Sequence, residues 1–137
     1  MNWKLILQLS MFGLAMGLAT VFFIPSNIEP AFWLPIFVLC AYLIARGTTG
    51  KAFEHGVFLG FANSVWITAA HVLFFDRYIA AHPREASMMQ LMPMPNAPRL
   101  MMALSGPVAG VVSGIVIGGF AFIASKLVKR ANVQVHT

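Results

Sequence analysis

Four apolar runs dominate this chain, and three of them hold twenty or more residues with scarcely a charge. Spans are predicted over residues 5–24, 31–46, 52–76 and 100–125. Coiled as a helix, the first run is ~30 Å long at ~1.5 Å per residue, which matches the hydrocarbon core of a bilayer. The second run is short for a span and is expected to stand nearly upright or to thin the bilayer around it. Turn signals separate the runs. Pro25, Ser26 and Asn27 stop the first, Pro30 opens the second at a first-turn position, and the polar stretch from Arg46 to Lys51 leads into the third. Thr49 is placed to cap that third helix. Only Lys4 charges the segment ahead of the first run, so this run is expected to be a retained helix and not a cleaved leader.

Charge content decides what surrounds these helices. Of the 137 residues, 59% are hydrophobic and 9% charged, whereas a soluble domain carries roughly a quarter charged residues. So few charges cannot cover a water-facing surface, and lipid is left as the solvent for most side chains. The predicted fold class is all-α: an integral membrane four-helix bundle forming one domain over residues 1–137. Its loops are short except for a longer outward-facing segment, 77–99, rich in methionine and proline.

The net charge of +5 would suit a nucleic-acid binder, but the basic residues flank apolar runs instead of lining one face. They read as topology signals, with the lipid bilayer as partner and no nucleic acid. Lys4, Arg46, Lys51, Lys126, Lys129 and Arg130 fall on one side. Arg77, Arg84 and Arg99 fall on the other, offset by Glu29, Asp76 and Glu85. That bias predicts a multi-pass protein of a bacterial inner membrane with both termini cytoplasmic.

Glycine spacing supplies the packing signal. Gly106, Gly110, Gly114 and Gly118 recur every four residues in the fourth run, and Gly13 and Gly17 repeat the device in the first. In the third, Gly56, Gly60, Asn63, Ser64, Thr68 and His71 share one arc of the helix. Such stripes let backbones approach closely, the main source of cohesion between helices in lipid. Spans one, three and four are therefore expected to pack together, with span two at the edge. The same faces would also serve a homo-oligomer or a second membrane protein.

Polar residues inside apolar runs are costly and mark candidate sites. Asn63 lies near the middle of the third run and most simply bonds a neighbouring helix. His71 lies near its end, with His82 beyond. Enzyme templates fail. The Gly47–Lys51 stretch lacks the first glycine and the final hydroxyl of a phosphate loop, and Glu54–His55 lacks the second histidine of a zinc-protease helix. No serine is set with a histidine and carboxylate as a nucleophile. Cys40 stands alone, which removes paired-thiol chemistry.

Six of nine methionines cluster as Met88, Met89, Met92, Met94, Met101 and Met102. Thioethers select Cu(I), and His71 or His82 could complete such a site. The favoured reading is packing: a short amphipathic helix over 85–92 forms an adaptable lid, followed by an extended stretch through Pro93, Pro95 and Pro98.

At Gly50-Lys51-Ala52-Phe53, and at Pro98-Arg99-Leu100-Met101-Met102 with the glycine ladder behind it, the chain resembles small four-span bacterial membrane proteins classed as a domain of unknown function. The resemblance covers the layout of most of the chain and implies the topology above. It implies no activity and no site residues. The expected function is a non-enzymatic scaffold or accessory subunit without cofactor; the alternative is a small transporter or Cu(I)-handling protein using the methionine cluster.

Overall fold

The computed structural model describes the backbone of residues 1–135 and the side chains of residues 1–128. Lys129 and Arg130 of the charge argument therefore lie outside the described side chains. Six helices follow in order, and there is no strand among the described residues: α1 (Trp3–Phe22), α2 (Glu29–Gly47), α3 (Ala52–Leu73), α4 (Phe75–Ala81), α5 (Pro83–Gln90) and α6 (Pro98–Val135). Four of them, α1, α2, α3 and α6, are long and apolar enough to cross a membrane.

Helix starts follow local chemistry. The Asn2 side chain accepts the Leu5 amide at 3.1 Å and caps α1, satisfying one of the donors that a helix start leaves free. Proline occupies the first turn of α2 and of α5, where its missing N–H costs nothing. Thr49 does not cap α3. Lys51 holds that position with φ 54°, and no side chain caps it; the hydroxyl of neighbouring Thr48 instead donates to the Ile44 carbonyl and closes α2.

The third run does not continue as one helix through residue 76. Phe74, at φ −106° and ψ 35°, leaves the helical region and ends α3. The chain then starts the short helix α4, on which Tyr78 is buried. The outer segment is correspondingly built of two short helices and a loop. Pro107 neither starts nor ends a helix but lies inside α6, which begins at Pro98.

Helix α3 is the centre of the bundle. Its longest interface is with α6 and its second longest with α1, while α2 packs chiefly on α6. The glycine ladder meets α3 in antiparallel register. Gly106 lies on Thr68, Gly110 on Ser64, Gly114 on Gly60 and Gly118 on Gly56, so each step of four along α6 is a step of four back along α3. Along α1, Gly13 lies on Asn63 and Gly17 on Ile67 and Ala70, which makes α1 and α3 parallel neighbours. All eight expected packing glycines are thus used within the chain, on two faces of one helix. The expectation of mutual packing among three spans narrows to a row in which α3 separates α1 from α6.

Polar contacts stitch α1 to α3 along its length. His55 Nδ1 donates to the Lys51 carbonyl at 2.7 Å, leaving Nε2 to accept the Asn2 amide at 2.9 Å. Trp66 Nε1 donates to Ser10 Oγ at 3.1 Å. Near the far end, Thr20 Oγ1 lies 2.8 Å from His71 Nε2.

Helix α2 sits at the edge and is seated along only half its length. Its buried residues, Cys40, Ala41, Ile44 and Ala45, all fall in its second half. There Cys40, Ala41 and Ile44 join Leu9, Ala52, Leu59, Ile117 and Ala121 in the main apolar core. A smaller core of Val21, Tyr78 and Met102 closes the other end. Between the two cores the first half of α2 stands off from α3 and α6.

Candidate functional site

The stand-off leaves a cavity of about 720 Å³, within the size range of small-molecule sites. One wall is the first half of α2, with Glu29, Trp33 and Phe37. The second is α3, with Asn63, Ile67, Thr68 and His71, and the third is α6, with Ser105, Ala109 and Phe120. Met88 and Met89 of α5 and Met92 just beyond it roof the space, joined by Met102 at the start of α6. The lining is mainly apolar with a few polar groups, the pattern of a site that holds a ligand by shape and orients it by a few hydrogen bonds.

Asn63 is the most telling polar group. It is 3% exposed and lines the cavity, and neither its amide nitrogen nor its carbonyl oxygen has a hydrogen-bond partner. The expected bond from Asn63 to a neighbouring helix is therefore not made. Opposite it on α1 is Gly13, which offers no side chain. An unpaired buried amide costs about 1–3 kcal/mol, and the Asn63 carbonyl oxygen is packed against Gly13 of α1.

His71 also lines the cavity, and its tautomer follows from its neighbour. Thr20 Oγ1 donates its one hydrogen to the Gly17 carbonyl at 3.0 Å, so it must accept from His71 Nε2–H. The ring is thereby oriented with its Nε2–H fixed on α1. Tyr78 stacks on the His71 ring at 4.0 Å between centroids, and His82 stacks on the other face of Tyr78 at 4.2 Å. His82 donates from Nδ1 to the Tyr78 carbonyl at 2.8 Å. Its Nε2 is buried without a partner. His82 thus lies behind Tyr78 and does not line the cavity. Burial, reinforced by the Glu29 and Glu85 carboxylates, pushes the Tyr78 phenol well above its ordinary pKa and keeps it protonated.

The methionine cluster divides. Met88, Met89, Met92 and Met102 face the cavity, whereas Met94 does not and is 37% exposed. Helix α5 starts at Pro83 and covers most of the predicted lid helix. Ser26 Oγ, from the loop between α1 and α2, donates to Glu85 Oε2 at 2.8 Å and fastens the roof to the wall. Among the described residues no group of three or more histidine, cysteine or acidic side chains gathers into a metal-binding cluster.

Sequence reasoning found Asn63, His71 and the roof methionines. It missed Glu29, Glu85, Trp33 and Tyr78, all of which line the cavity. A usable signal existed: the chain has only four acidic residues, and Glu29 directly precedes an apolar run. Compared with protein families, with curated proteins and with solved structures, the chain matches none.

Proposed function

We propose that this chain is a non-enzymatic, four-span integral membrane protein that holds one small amphipathic molecule in the cavity between α2, α3 and α6, as an accessory or carrier component. The α5 end faces outward and the termini are cytoplasmic, in a bacterial inner membrane, by the bias of basic residues. The single observation that carries the reading is the cavity itself, about 720 Å³ and mainly apolar, with Asn63 and His71 of α3 among the residues that line it. A protein serving only as a scaffold would gain by closing that space with larger side chains, because unfilled volume forfeits packing contacts. The contents of the cavity argue against catalysis. It has no activated nucleophile, and its one imidazole is committed to Thr20.

Native mass spectrometry of protein extracted in mild detergent tests this reading. The wild type is expected to carry a bound small molecule at one per chain. Ala109→Trp, which fills the cavity from α6, is expected to lose it while keeping its elution volume and thermal stability. An adduct of equal abundance in both proteins would overturn the assignment.

The roof supports a second reading, a Cu(I) carrier, because Met88, Met89, Met92 and Met102 surround the same space as His71. Thioethers with one imidazole suit that ion. Titration with Cu(I) against a competing chelator separates the readings. Stoichiometric binding that disappears in a variant with Met88, Met89, Met92 and Met102 all replaced by leucine supports copper. Failure of the wild type to compete removes it.

A further inference from the structure

The cavity carries charge of one sign. Glu29 and Glu85 line it, and no lysine or arginine does. They come from separate elements, Glu29 from the first turn of α2 and Glu85 from the first turn of α5. Each makes one neutral hydrogen bond: Glu29 accepts Trp33 Nε1 at 2.9 Å and Glu85 accepts Ser26 Oγ at 2.8 Å. Neither has a cationic partner among the described residues, where the ion pair is Arg99–Asp76, exposed and outside the cavity. Two carboxylates flanking one partly enclosed, largely apolar space repel each other and leave it attractive to a positive charge.

Aromatic rings stand beside them. Trp33 and Phe37 pack with centroids 5.5 Å apart on the α2 wall, and ring faces attract cations. The faces of Tyr78 are already taken by His71 and His82, so it contributes its neutral hydroxyl. A phospholipid headgroup would bring a phosphate next to two carboxylates with no basic side chain to meet it. The complementary occupant has one positive charge and no anion.

We propose that the ligand of this cavity is a hydrophobic organic monocation, its charged end between Glu29, Glu85 and the Trp33 and Phe37 rings, its apolar body toward Ile67 and Phe120. This rests on the cavity-binding reading above and adds the ligand's chemical class.

Tetraphenylphosphonium and the nearly isosteric anion tetraphenylborate are the probes, with binding measured on detergent-purified full-length protein. The proteins are wild type, Glu29→Gln/Glu85→Gln and Ala109→Trp. Glutamine keeps an acceptor for Trp33 and Ser26, and a thermal midpoint equal to that of wild type establishes that the fold is retained. If the double variant unfolds, Glu85→Gln alone takes its place. Saturable phosphonium binding to wild type is expected, weakened about tenfold or more in the glutamine variant, the scale of one charge-assisted contact. Ala109→Trp is expected to abolish it, and the borate should not compete.

Phosphonium binding lost in Ala109→Trp but unchanged in the glutamine variant would overturn the cation and leave the cavity-binding reading intact. Equal competition by the borate would do the same. No phosphonium binding to a wild type that still carries its own adduct also overturns the cation alone. Binding that survives Ala109→Trp overturns the site itself and the cavity reading with it.

Discussion

At the scale of single residues, the informative positions are those where a polar group sits against its physical interest. Asn63 and His71 were legible in the sequence because each interrupts an apolar run, and their cost in such surroundings requires a reason. What each does was not legible. Asn63 reads as a hydrogen-bond bridge between helices, yet its partner position on α1 is Gly13, so its amide is left without a partner. His71 is fixed by Thr20, a pairing made only when α1 and α3 lie parallel. Glu29 and Glu85 escaped notice because more than fifty residues separate them in sequence. Their convergence depends on the break at Phe74 and on the Ser26–Glu85 bond. Replacing Asn63 by leucine therefore has opposite effects on stability and function. The thermal midpoint should rise, because an unsatisfied amide worth about 1–3 kcal/mol is removed. The bound molecule seen by mass spectrometry should be lost or weakened. A lower midpoint in Asn63→Leu would mean that the amide is satisfied in the folded protein.

Among the elements, glycine spacing carried the most structural information. A period of four in α6 announced a groove, while its register against α3, where the small residues run in reverse order, comes from the contacts alone. Which helix would stand between the others was not legible, because a stripe of small residues does not name its partner. Crowding along the interface distinguishes glycines that look alike in sequence. A methyl group on Gly114 would come within 2.6 Å of the Val57 carbonyl oxygen, and on Gly118 within 2.7 Å of the Phe53 carbonyl oxygen. Backbone cannot yield as a side chain does. Gly119 has nothing within 4 Å. Gly114→Ala is expected to destabilise the protein by about 1–3 kcal/mol through overpacking. Gly119→Ala should be neutral or stabilising by up to about 1 kcal/mol, since alanine is the better helix former. Thermal or denaturant unfolding of both variants in the same detergent checks the pair, and equal effects would show that the α3–α6 contact is looser than described.

For the molecule as a whole, the helix count and the apolar character of the four long helices followed from composition and run length. The half-seated α2 did not, because hydropathy is blind to how a helix leans. The proposed orientation rests on the distribution of basic residues, and reporter fusions check it: fusions at Gly50 and after Lys126 should report the cytoplasm, and one at Asn96 the opposite side. A reversed pattern would turn the cavity toward the cell interior. The central position of α3 also bears on how the protein is made. Helix α1 is synthesised first and can receive α3 as soon as it emerges, joining through Gly13, Gly17, Ser10 and Thr20. The adjoining face of α3, with Gly56, Gly60, Ser64 and Thr68, must wait for α6 while the ribosome completes the intervening segment. In the membrane setting proposed above, that strip of small residues faces lipid unmatched throughout the interval, and a chain stalled before Pro98 would keep it so.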